Sequence, residues 1–253
     1  MSRWSRQRQV TITFIILIVL TVLIGAGAWY WWPVPSCTDG TKNQNEVGID
    51  CGGVCPKICA TSVVPLKVLW SRVFPARSGE WYVVAQVQNQ NRNVGARQVN
   101  YELKLLDAIG GVLARRGGET FINPGETALI LETNIPVSGN RVPSRALVTI
   151  TPPTWEKPVK EVPIFSTNRK SFINDPAPRL VAAITNPSIT DYTDIEVSIV
   201  VAGNDENVFA ASRTLVDRLT RGESRDIYFT WPMPFVEAPA VVTILPRLSA
   251  YRP

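Results

Sequence analysis

From Val10 to Trp32 the chain reads VTITFIILIVLTVLIGAGAWYWW, 23 positions without a charge. As a helix this stretch extends about 34 Å, enough to cross a hydrocarbon core about 30 Å thick. Arg3, Arg6 and Arg8 precede it, and no basic residue follows until Lys42. The asymmetry of positive charge predicts a cytoplasmic N-terminus (residues 1–9), a membrane-spanning signal anchor (10–32) and an extracytoplasmic remainder. Trp29, Tyr30, Trp31 and Trp32 form an aromatic belt suited to the outer membrane interface. Pro33 and Pro35 stop the helix. Ala26-Gly27-Ala28 offers the alternative of a cleaved signal peptide. Either route exports the rest of the chain.

All four cysteines fall in residues 33–62, at Cys37, Cys51, Cys55 and Cys59. Export implies an oxidising compartment, so two disulfides are expected, in any of three pairings. The segment has too little apolar content to fold without such staples. A four-thiolate zinc site is the metal alternative, although the C-x3-C-x3-C run departs from the usual C-x2-C pairs. Asp39, Asn43, Asn45, Glu46 and Asp50 crowd oxygen-bearing side chains into the same loop, a set that can hold calcium; apart from these metal alternatives no cofactor is expected. The competing role for these residues is to build Asx-turns between the disulfides. The run C-T-D-G-T-K-N-Q-N-E-V-G-I-D-C-G-G-V-C resembles a short cysteine motif of secreted and surface proteins, C-x-D-G-x-x-N-x-x-E-x-G-x-D-C-G-G-x-C, over Cys37 to Cys55 only.

Beyond the cysteines the pattern has period two. Val99, Tyr101, Leu103 and Leu105 alternate with Asn100, Glu102 and Lys104, as in a strand with one face on a core. In Trp81–Asn89, Trp81, Val83, Ala85 and Val87 share one face, and Tyr82, Val84, Gln86 and Gln88 the other. The same order returns 96 or 97 positions later, where Leu180–Asn186 matches Val83–Asn89. Ile195, Val197 and Ile199 match Val99, Tyr101 and Leu103, Asn207–Ala210 matches Gly111–Ala114, and Gly222-Glu223 matches Gly125-Glu126. We therefore expect an all-β fold: two tandem immunoglobulin-like β-sandwiches, at 63–152 and 163–253, joined by a proline-rich linker at 153–162. The linker's stiffness predicts a limited range of relative orientations. Val159–Phe165 is expected to be the first, edge strand of the second sandwich.

The pattern also resembles the FxLYD type of bacterial extracytoplasmic β-sandwich, in which a strand ending V-x-N is followed by L-Y-D, a G-x-V turn and a P-G-E turn. Leu105, Leu106 and Asp107 occupy the signature positions of the first copy, with Leu106 for the tyrosine and Leu103 for the phenylalanine. The second copy, Val197 to Ala202, lacks the aspartate. The resemblance implies a fold and transfers no catalytic or ligand residue.

Charge and composition exclude several functions. Of 26 basic residues three precede the apolar stretch, and the 23 left face 21 acidic ones, so no concentrated basic face for nucleic acid is expected. The chain has no histidine, which removes Ser-His-Asp and Cys-His chemistry and imidazole metal ligands. Asn89 and Asn186 are expected to close turns, as are Glu126 and Glu223. Trp70, Trp81, Trp155 and Trp231 are assigned to packing rather than to a sugar site. The expected role is a non-enzymatic binding or scaffolding protein of the cell envelope, in contact with the lipid bilayer and an envelope or surface protein. The alternative is an accessory subunit of a secretion, pilus or transport assembly, with Gly25, Gly27 and Ala28 offering a small-residue helix contact. A carboxylate-dependent hydrolase ranks last, because no spacing nominates a pair of acids.

Overall fold

The computed structural model describes residues 3–31, 35–76, 79–139 and 141–251. Trp32 and Pro33 lie outside the described residues, and Trp31 is described by its backbone alone. The chain divides into two compact units, Met1–Val54 and Cys55–Pro253.

The first unit contains helix α1, Arg3–Trp31. Its span Arg8–Tyr30 has a mean hydropathy of 2.7 and buries nothing within the protein. A helix apolar on every side is stable only where an apolar medium surrounds it. The length and composition suit a membrane anchor or a signal sequence. Its two hydroxyls described in bonds turn inward: Thr13 Oγ1 donates to the Gln9 carbonyl at 2.9 Å and Thr21 Oγ1 to the Leu17 carbonyl at 2.7 Å. Neither polar group then needs water.

The second unit is all β. Six strands, β1 (Lys67–Pro75), β2 (Glu80–Gln88), β3 (Ala96–Leu106), β4 (Val112–Ile122), β5 (Thr127–Pro136) and β6 (Arg145–Ile150), form two antiparallel three-stranded sheets ordered β1-β2-β5 and β4-β3-β6. Six more, β7 (Ser166–Ile173), β8 (Arg179–Thr185), β9 (Tyr192–Ala202), β10 (Val208–Leu219), β11 (Ser224–Thr230) and β12 (Val241–Arg247), form sheets ordered β7-β8-β11 and β10-β9-β12. The second order is the first advanced by six strands. Pairings correspond too: Ala85 of β2 faces Ser71, and its match Ala182 of β8 faces Arg169. Each pair of sheets encloses a core. Val83, Ala85 and Val87 meet Val99, Leu103 and Leu105 in one, while Leu180, Ala182 and Ile184 meet Ile195, Val197 and Ile199 in the other. Pro75, Pro136 and Pro246 all sit in edge strands, where a missing N–H breaks no ladder.

Val159–Phe165 is not a strand. The first strand of the second sandwich is β7, which begins at Ser166. The segment before it carries prolines at 152, 153, 158 and 163; its first half lies on the first sandwich, while Val159 and Lys160 donate their N–H groups to the Ala250 carbonyl and Phe165 enters the core of the second. Trp155 there is buried, its carbonyl accepts from Ile58 N–H, and Glu156 exchanges backbone bonds with Gly95.

The two sandwiches are not beads on a linker. Tyr82, Val84, Leu129 and Leu131, on the outer face of β1-β2-β5, pack on Val200 and Ala211, on the outer face of β10-β9-β12. The unit is thus four sheets deep, and its two inner sheets are covered on both faces. That accounts for the nearly continuous burial of β2 and of the C-terminal half of β9.

Candidate functional site

The cysteine loop is built by its own polar side chains. All four cysteines are disulfide-bonded. The Asp39 carboxylate accepts from Ser36 N–H at 3.0 Å, Thr41 N–H at 2.9 Å, Thr41 Oγ1 at 2.7 Å and Asn43 Nδ2 at 2.7 Å. These bonds, the Ser36 N–H foremost, hold its carboxyl far below the usual carboxylate range. Asp50 spans Gly40 N–H with both oxygens, at 3.1 and 3.0 Å. Buried Glu46 accepts from Asn43 N–H at 3.3 Å and Asp50 N–H at 3.1 Å. Asn45 and Asp50 adopt positive φ. Gly53, at φ +61°, has room for no side chain, since a Cβ there would stand 2.2 Å from the Asn45 carbonyl oxygen. The five oxygen-bearing residues therefore share one loop, but the three carboxylates point at backbone N–H groups.

The repeated corners serve structure in the same way. Asn89 Nδ2 donates to the carbonyls of Val94 (2.7 Å) and Asn123 (2.9 Å), and Asn186 Nδ2 to Thr190 (2.8 Å) and Thr220 (3.1 Å). Glu126 accepts from Asn123 N–H at 2.6 Å and Glu223 from Thr220 N–H at 2.8 Å, each closing its own turn. Asp107 accepts from Ile109 N–H (3.1 Å) and Gly111 N–H (2.6 Å), shaping the β3–β4 turn.

Among the described residues Arg247 is the most heavily engaged charge in the unit. Its side chain is 4% exposed, with Nε 3.0 Å from Glu126 and Nη1 3.7 Å from Glu196. Nη1 also bonds Thr120 Oγ1 at 3.3 Å, Nη2 bonds the Phe121 carbonyl, and the guanidinium lies 3.9 Å over the Phe121 ring. Asn123 adds two bonds to the C-terminal segment: its Nδ2 donates to the Leu248 carbonyl, and its Oδ1 accepts from Ala250 N–H, both at 2.9 Å. Tyr251, almost fully buried, lies against Gly95 of the first sandwich. One end of the sandwich pair is therefore latched shut.

The other end is open. Phe74, Pro75 and Tyr82 of the first sandwich face Phe209, Trp231 and the β11–β12 loop 232–237 across an apolar cleft of about 360 Å³. Its walls are braced. The Phe235 ring sits 5.0 Å from Trp231, 5.1 Å from Phe209 and 5.6 Å from Phe172. Trp231 Nε1 donates to the Ala211 carbonyl at 2.9 Å. Asn174 grips the loop backbone twice, accepting from Phe235 N–H at 2.8 Å and donating to its carbonyl at 3.0 Å. Burial pushes the Tyr82 phenol up to about 12, so it stays neutral at physiological pH. Met233 and Val236 stand out at the rim. Of the tryptophans weighed in the sequence, Trp231 alone lines this cleft. The signal for the rest lay in the run W-P-M-P-F-V-E-A-P, an apolar loop with prolines at alternate positions where a polar turn is the norm.

No family profile matches this chain, and no curated protein matches it. Among solved structures, the crystal structure of red sea bream transglutaminase is similar to it at a TM-score of 0.25 and 10% identity, over 75% of this chain and 30% of that one. This chain thus corresponds to less than a third of that protein's length.

Proposed function

We propose that this protein is a membrane-anchored binding or scaffolding protein of the cell envelope, with its N-terminus in the cytoplasm and its β domains outside. The observation that carries the binding role is the open apolar cleft. A soluble unit exposes a braced, mostly apolar concavity of this size at a cost, which a partner's contacts repay. The uncovered apolar helix and the arginines before it support the anchor and its orientation. The repeated strand order supports reading the sandwiches as two copies of one immunoglobulin-like, FxLYD-type unit. Among the described residues Glu237 is the one carboxylate lining the cleft, whereas a glycosidase needs an acid pair, which favours binding over catalysis.

The test is photo-crosslinking in intact cells, with a crosslinking residue placed singly at the exposed positions Val236, Ile109, Leu147 and Ile189. The expected result is a discrete adduct from at least one position. A protein that crosslinks nowhere, or whose C-terminal reporter remains cytoplasmic, would overturn the reading.

A further inference from the structure

We propose that the cleft binds an extended, proline-rich segment of a partner protein that carries an arginine or lysine. This rests on the binding role above and names the chemistry of its ligand.

Three features of the cleft select that class. The first is its lining, with rings from Phe74, Tyr82, Phe209, Trp231 and Phe235 on both sides. Aromatic grooves of this kind accept a polyproline II helix, whose backbone needs no partner strand and whose stiffness lowers the entropy lost on binding. The second is a shortage of donors. Pro75, Pro232 and Pro234 carry no N–H, and the N–H of Phe235 is already given to Asn174. A β-strand laid here would find no ladder to extend. The third is charge. Among the described residues Glu237 is the sole charged one lining the cleft, and no cation among them pairs with it. Its carboxylate lies over Gly203, where a Cβ would come within 2.7 Å of Oε2. A basic side chain at one end of the ligand would be met there.

Within the β unit the cleft lies away from the latch. The chain enters this unit at Cys55, and Lys57 bridges to Glu156 near Gly95, at the latched end. The cleft lies at the opposite ends of β1 and β2, and β2 is 9 residues long. A strand of that length separates the two ends by about 25–30 Å.

The experiment uses the full chain in lipid nanodiscs and follows the fluorescence anisotropy of labelled peptides: one arginine followed by eight prolines, nine prolines, an alternating Thr-Val strand and an Ala-rich helix. The arginine–proline peptide is expected to bind best. Met233→Glu is expected to weaken it by at least about tenfold, which corresponds to about 1.4 kcal/mol. Glu237→Lys should weaken the arginine–proline peptide about fivefold and leave nine prolines unchanged. Both side chains are exposed, so neither change disturbs the core. Tighter binding of the strand or helix peptide, no proline-peptide binding at millimolar concentration, or indifference to both variants would overturn the proposal. In cells, adducts from Ile109, Leu147 or Ile189 but none from Val236 would sink the cleft and leave the binding role standing. No adduct from any position would sink both.

Discussion

Arg247 illustrates how one side chain can decide a domain arrangement. It belongs to β12 of the second sandwich, yet Glu126, Thr120 and Phe121 of the first are among its partners. Removing the guanidinium takes the cation from the partly buried Glu126 carboxylate and leaves Glu196 to Arg213, 3.6 Å away; breaking a buried pair in this way costs about 3–5 kcal/mol at comparable sites. Arg247→Ala is expected to lower the denaturant midpoint and to loosen the latch, read as faster amide exchange at Ala250 and Tyr251. Gly53→Ala has a more local effect. It forces a side chain into the Asn45 carbonyl and should yield protein with titratable thiols after oxidative folding, whereas the wild type has none. The pH dependence follows from Glu223 and Asp39. The Thr220 N–H and hydroxyl and the Arg225 guanidinium hold the Glu223 carboxyl at about 2, against 4.5 for the free side chain. Asp39 is shifted in the same direction. A lowered folded-state value means that the stabilisation is complete above the unfolded value and is lost as pH falls through the folded one. The thermal midpoint should be flat from neutrality to about pH 5 and decline from about 4.5 to 2, and Glu223→Gln should flatten part of that decline.

At the scale of elements, β2, β5 and β9 are covered on both faces. The sequence of β2 showed both faces apolar at Tyr82 and Val84 as well as at Val83 and Ala85. Alternation alone assigns one face to the core and leaves the second without a destination. The structure supplies it, in the outer sheet face of the other sandwich. Leu131→Ala is expected to cost about 2–5 kcal/mol, because the vacated space lies between rigid sheets. Leu215→Ala, on the exposed part of β10, should fall within about 0.5 kcal/mol of wild type. Urea denaturation of the two variants checks both. The misplaced strand has an equally physical cause. Val159–Phe165 has β-forming residues, but Pro158 and Pro163 remove donors from a run that needs a ladder, and Ser166–Ile173 pairs with β8 instead.

For the whole molecule, the shared core and the Arg247 latch predict that the two sandwiches unfold together. Calorimetry of the β unit in the full chain should give one transition with equal calorimetric and van't Hoff enthalpies. Two resolved transitions would contradict the four-layer packing. The corner residues were readable in advance, since Asn89, Asn186, Glu126 and Glu223 recur at matching turns and each makes a bond within five residues, although the second carbonyl that each asparagine holds lies 34 residues on. The cleft was not readable. Phe74, Phe209 and Phe235 are separated by more than 130 residues at their extremes and meet only because two outer sheet faces pack.

The amino-acid sequence by itself determined what depends on near neighbours: an apolar helix long enough to cross a bilayer, a loop that folds around its cysteines, and strands that alternate in two parallel sets. Local sterics, turn geometry and the period of hydrophobic residues act over a few positions, so they are written in the chain directly. Only the tertiary structure decided which outer face of one sandwich meets which face of the other, and with it the buried arginine and the open aromatic cleft. Those contacts join residues far apart in sequence, and their stability comes from the fit of two surfaces rather than from any segment alone.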